Sequence, residues 1–223
     1  LGHGLMLSTG YDLDRSLELC AGLLTDHDRG SCYGGAFMEN LVAYINSQTG
    51  GHVHGDHEYA VDPDDWLYPC NAVPEDTHVS CWLIHTSLVL YYNGGDFEET
   101  AGVCAALEAP LDHTCYASMG RDASAYMQRD PPRVAEACAF GGEEGRDPCI
   151  RGFLSEVVLN YVDPRAGLDA CRALPEIDKP ACYGELGQEG LNISGAATME
   201  AVCAEADDGY EDECRAGAGL PPA

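Results

Sequence analysis

Twelve cysteines fall into six evenly spaced pairs, and this spacing constrains the chain more than any other feature. Cys20 and Cys32 have eleven residues between them; Cys70/Cys81, Cys104/Cys115, Cys138/Cys149, Cys171/Cys182 and Cys203/Cys214 each have ten. From Cys70 onward the first members advance by 34, 34, 33 and 32 residues, whereas the step from Cys20 to Cys70 is 50. A fixed period in this range is the mark of stacked helical hairpins. Even pairing with none left over predicts disulfides, and with them an oxidising, extracytoplasmic setting: secreted, periplasmic or cell surface. Zinc is the other use of clustered cysteines, but a structural zinc site needs CxxC-type spacing, which this chain lacks. The missing CxxCH likewise excludes covalent haem, and no GxGxxG or GxxxxGK is present to cradle a nucleotide.

The chain carries 38 acidic residues against 11 basic ones, a formal net charge of −27, and its single lysine is Lys179. Such a surface repels nucleic acid and anionic lipid and suits cations or a saline medium that screens it. No apolar run of transmembrane length and no secretory signal occurs. The abrupt Leu1-Gly2-His3-Gly4 opening reads as a mature ectodomain whose leader has been removed.

Along the chain, Leu17, Leu19, Cys20 and Leu23 form an apolar stripe at helical spacing. Thr25–Gly30 reads as a polar loop and 32–45 as a helix with Phe37, Met38, Leu41 and Val42 in register. Residues 46–69 break the pattern with a Gly-, His-, Asp- and Pro-rich insert. Helices then follow at 82–92, 98–107, 115–127, 134–140, 149–160, 163–174, 182–189, 196–204 and 210–216, before a Gly/Pro tail at 217–223. Each first cysteine is expected near the end of one helix and each second at the start of the next, with loops such as 108–113, 141–147, 175–180 and 207–213 between. A disulfide closing about a dozen residues is worth roughly 3 kcal/mol in the chain-entropy model. Small residues after the second cysteines, among them Gly34, Gly35, Ala117, Gly152 and Gly184, allow close helix approach. The expectation is an all-α fold over 1–223, a single right-handed α-solenoid of about six hairpin repeats, each stapled by a disulfide.

The period, with one cysteine pair per unit and small residues after the second cysteine, resembles tetratricopeptide and cysteine-rich Sel1-like repeats over roughly 70–217. The likeness is architectural, and the ten-residue gap between cysteines is longer than that family uses. It implies a surface that binds a protein partner or mediates self-association.

Chemistry concentrates in Gly51-His52-Val53-His54-Gly55-Asp56-His57-Glu58, which holds three of the eight histidines. Its letters match the H-x-H-x-D-H signature of the metallo-β-lactamase fold, but there the motif follows a buried strand, and here helical units surround it. The metal reading rests instead on the imidazoles: His52, His54 and His57 can converge on copper or zinc, with Asp56 or Glu58 as ligand or support. His3, flanked by glycines, is a further candidate ligand, and Met6 a soft one for copper. Glu39 and Asn40 follow Phe37-Met38, where a carboxylate serves as ligand or general base, or more simply pairs with Arg15 or Arg29. Arg121 is read as bracing Asp122, with an anion contact as the alternative. The acidic stretches at Asp62, Asp64, Asp65 and at Asp207–Glu213 are read as solvated charge, with calcium as the alternative. Asn192-Ile193-Ser194 fits an N-glycosylation acceptor. Three functions remain open on these residues: a binding and assembly module with a histidine metal site, a metal-dependent enzyme, and a purely structural, polymeric protein.

Overall fold

The computed structural model describes residues 1–51 and 57–223. It is all-α, and no strand occurs among the described residues. The helices are α1 (Gly2–Thr9), α2 (Leu13–Ala21), α3 (Asp26–Thr49), α4 (His78–Tyr92), α5 (Phe97–Ala105), α6 (Leu111–Tyr126), α7 (Pro131–Cys138), α8 (Gly142–Tyr161), α9 (Pro164–Ala173), α10 (Lys179–Ser194), α11 (Ala196–Cys203) and α12 (Glu211–Gly217). Two compact units divide the chain, Leu1–Asp96 and Phe97–Ala223.

The disulfides pair Cys20 with Cys32, Cys70 with Cys81, Cys104 with Cys115, Cys138 with Cys149, Cys171 with Cys182 and Cys203 with Cys214. In five of them a short helix with its cysteine in the last turn is stapled to its successor, which is longer in every case but the last, where α11 has 8 residues and α12 has 7. The exception is Cys70, which lies among turns rather than on a helix, because the insert replaces the short helix of that pair.

The long helices begin earlier than their composition suggests. Thr25 is no loop residue but the cap of α3, its hydroxyl accepting from the Asp28 amide, with Asp26 and Asp28 in the first turn. The segment at 142–147 is the first part of α8, opened by Glu143 and Glu144. α12 begins at Glu211, next to the expected start at 210, and Glu211, Asp212 and Glu213 form its first turn. Carboxylates suit the positive end of the helix dipole, so these acidic residues start helices rather than solvate loops. α7 and α9 begin at Pro131 and Pro164, whose missing amide costs nothing at the first helical position.

In the second unit, α6, α8, α10 and α12 pack each on the next, and the short helices α5, α7, α9 and α11 fill the spaces between them. Two kinds of seam join α6, α8, α10 and α12. Between α6 and α8 the backbones nearly touch: a Cβ on Gly120 would stand 1.8 Å from the Cys149 carbonyl oxygen, and one on Gly152 would stand 1.9 Å from that of Ala117. The α10–α12 seam repeats this with Gly187 against Cys214 and Gly217 against Gly184, at 2.1 and 2.0 Å. The seam between them is polar. Arg146 binds Asp178 through Nε and Nη2 at 2.5 and 2.8 Å, Arg151 reaches Glu185 at 3.3 Å, and Ser155 reaches Glu189 at 3.3 Å. Fully buried Met119, Ile150, Phe153, Leu154, Leu168, Leu186 and Met199 supply the apolar core. Each is worth about 1.5–3 kcal/mol relative to exposure.

In the first unit, α1 and α2 pack against α3, and α3 packs against α4. Residues 1–7, which carry no helical periodicity, nevertheless form most of α1, ended by Gly10 in the left-handed region at φ 72°. Met6, Leu13, Leu17, Phe37, Leu41, Trp82 and Leu88 make the core.

Candidate functional site

The first unit gathers its polar and aromatic side chains around Glu39, midway along α3. α1 crosses α3 so closely that a Cβ on Gly2 would meet the Cys32 carbonyl oxygen at 2.0 Å. That contact brings the next residue, His3, to Glu39, with Nδ1 3.0 Å from Oε2. A carboxylate oxygen only accepts, so Nδ1 carries the proton and the neutral ring keeps its lone pair on Nε2. Immediately after the Gly10 turn, Tyr11 holds φ at 68° and donates its hydroxyl to Glu39 Oε1 at 2.9 Å. Burial, and then this bond, push the Tyr11 phenol up to about 12. One carboxylate thus orients a histidine and a tyrosine from opposite sides.

Aromatic rings extend from this point. The His57 ring lies 4.7 Å from that of Tyr11, and Tyr59 meets Tyr11 edge-on at 5.2 Å. Tyr44 links Tyr59 to Tyr91 and Tyr92, and Trp66 stacks on Tyr92 at 6.3 Å. Asn40 pins the strand of chain after His57 to α3: its amide donates to the Ala60 carbonyl and accepts from the Ala60 amide, both at 2.9 Å.

Of the residues read as metal ligands, His3 and His57 come to the same Glu39/Tyr11 neighbourhood, while His52, His54 and Asp56 lie outside the described residues. Met6 is fully buried in the core. Glu39 does not pair with arginine: Arg15 binds Glu18, Arg29 binds Asp26, and Glu39 is taken by His3 and Tyr11. Arg121 braces Asp122, its Nη2 2.6 Å from Oδ1. The acidic stretches have protein partners. Asp65 accepts from Asn71 and from the Leu67 amide, which hold its carboxyl below the ordinary range, and Asp207 is held low by Lys179 at 2.7 Å.

Reading the sequence singly passes over His85. It is 2% exposed on α4, and its Nε2 lies 2.7 Å from the Trp66 carbonyl, so Nε2 carries the proton and Nδ1 the lone pair. Its ring stands edge-on to Trp82 at 5.0 Å. Among the described residues, the one group of three His, Cys, Asp or Glu ligand atoms within 4.8 Å of one another is Cys70, Cys81 and His85, and all three are buried. The signal lay in register: four residues after the second cysteine the other repeats place Ala36, Met119, Phe153, Leu186 and Ala218, all buried and apolar. A lone histidine in that column is the anomaly.

Burial holds the His85 imidazolium pKa down to about 4, against an ordinary 6.5. Between these values the unfolded chain binds a proton that the folded chain refuses, so stability is complete above about pH 6.5 and falls toward pH 4. At about 1.4 kcal/mol per pH unit the loss is on the order of 3 kcal/mol. Denaturant titrations of the wild type and His85→Phe at both ends of that window are expected to show this extra loss only in the wild type. Parallel pH profiles would contradict it.

No family model, curated protein or solved structure matches this chain. Among the described residues no helix is long and apolar enough to cross a membrane.

Proposed function

We propose that this chain is an extracytoplasmic helical-repeat module that binds copper or zinc at its N-terminal histidines and presents its repeats to a protein partner or to further copies of itself. The observation that carries the metal reading is Glu39. It fixes the His3 tautomer with Nε2 as the ligand atom, and through Tyr11 it ties His3 to the ring that His57 lies against. Carboxylate support of this kind is what histidine ligands usually have, and it raises their basicity. In this reading His3 and His57 contribute imidazoles, and the adjoining segment adds His52, His54 and Asp56. Six internal disulfides favour an oxidising compartment. Continuation of the hairpin stacking along the whole chain would give a solenoid, as in the Sel1-like repeats its period resembles, and such arrays bind along one surface. The net charge of −27 attracts the cation and disfavours nucleic acid and anionic membranes as partners.

Calorimetric titration of the oxidised protein with Cu(II) and Zn(II) tests the site. His3→Ala is expected to weaken binding strongly, and Glu39→Gln by about 10–100-fold through loss of the supporting carboxylate. His113→Ala, in the second unit, should change nothing. Equal affinity in wild type and His3→Ala would refute the assignment.

A further inference from the structure

The Cys70–Cys81 pair differs from the other five in two ways that point in one direction. Its first cysteine sits on turns, so its Cα can shift without opening a helical hydrogen-bond ladder. Its second cysteine is followed, one helical turn on, by a histidine where every other repeat has an apolar side chain. Residues four apart share a helix face, so His85 is directed at its own disulfide, and Sγ of Cys70, Sγ of Cys81 and an imidazole nitrogen lie within 4.8 Å of one another. Because the Nε2–H donates to the Trp66 carbonyl, the nitrogen left with a lone pair is Nδ1.

We propose that opening of the Cys70–Cys81 disulfide converts this pair and His85 into a Cys2His site for a thiophilic divalent cation such as zinc. An external dithiol supplies two electrons and two protons and leaves as its own disulfide; the Sγ–Sγ bond breaks to give two thiols. The cation then displaces those two protons to solvent and binds two thiolates and Nδ1. With Zn–S about 2.3 Å and Zn–N about 2.0 Å, ligand atoms around a tetrahedral centre stand roughly 3.5–3.8 Å apart, inside the 4.8 Å that spans the three candidate atoms. Charge favours the exchange. Two thiolates cancel a divalent cation and His85 is neutral, so the filled site carries no net charge among Phe37, Leu41 and Leu88. A small cavity borders Cys81 and His85 and is lined also by Asn40 and Val61. The protein would be metal-free at this position when oxidised and metal-loaded when reduced. This site shares no residue with the His3/His57 site.

The test is anaerobic titration of the protein with Co(II) in the presence of a non-chelating phosphine, read by the thiolate-to-cobalt charge-transfer band, which an all-histidine site cannot give. The wild type is expected to take up one cobalt per chain with that band. His85→Phe, which installs the side chain of the Phe153 register, should weaken cobalt binding at least tenfold, and so should His85→Gln, which keeps a hydrogen-bond donor for Trp66. Oxidised protein should give no band. Absence of the band in reduced wild type, or an equal band and affinity in both His85 variants, would overturn the proposal.

Discussion

Gly120→Ala is expected to destabilise the oxidised protein by about 3 kcal/mol or more, a large effect for one methyl group. The added Cβ would lie 1.8 Å from the Cys149 carbonyl oxygen and 2.6 Å from its carbon. Both atoms are backbone. They belong to α8 and sit beside the Cys138–Cys149 disulfide, so no flexible side chain can swing aside, and the two long helices must separate along their whole contact. Gly102→Ala is the matched control. Gly102 is also helical, in α5, but an added Cβ there meets nothing within 4 Å, so alanine is expected to stabilise by up to about 0.8 kcal/mol through helix propensity. Denaturant unfolding of both variants, with the disulfides intact, should therefore move in opposite directions. A Gly120→Ala protein as stable as the wild type would mean that the helices do not approach as described.

Asp178→Ala is expected to cost about 3–5 kcal/mol, because it strips the partner from a guanidinium at the polar seam of the second unit. Asp178 is fully buried and the Arg146 side chain is 23% exposed, and the two meet through a bidentate bond that raises the arginine pKa further. Removing the carboxylate leaves a partly buried guanidinium without its bidentate partner. Asp178→Asn retains one acceptor and should recover part of the loss. By contrast, Asp169→Ala removes an ion pair with Arg172 whose side chains are 77% and 40% exposed, and should change stability by less than about 0.5 kcal/mol. Unfolding free energies of the three variants provide the check, and equal costs for Asp178→Ala and Asp169→Ala would contradict the assigned role of the buried pair.

The disulfide register and the helix that follows each second cysteine are legible in the sequence, because the cysteine period and the apolar 3.6-residue spacing after it agree. The helix starts are not. Asp, Glu, Gly and Pro at 26–30 and 142–148 read as turn formers, yet beside a helix end the carboxylates stabilise the first turn. α1 escapes notice because its eight residues have no continuous apolar stripe; only Gly2, by backbone proximity, and the core side chain Met6 are buried. The small residues after the second cysteines do foretell close packing, but not that glycine seams would flank a polar one. At the candidate site, His3 and Glu39 stand 36 residues apart, and only the crossing of α1 over α3 joins them. The histidine-rich letters mark the neighbourhood through His57, whereas Tyr11 and Glu39, which give it geometry, have no motif. His85 could have been found by aligning the repeats on their second cysteine.

The most direct test of the proposed function is the metal content of the oxidised protein, purified without added metal or chelator and measured by elemental mass spectrometry. About one copper or zinc per chain is expected, surviving a mild chelator wash and lost in the His3→Ala/His57→Ala double variant. The oxidised state matters, since it leaves no thiolate at Cys70 or Cys81 to contribute. No stoichiometric metal in the wild type, or the same metal in the double variant, would contradict the N-terminal site and leave a disulfide-stapled helical scaffold.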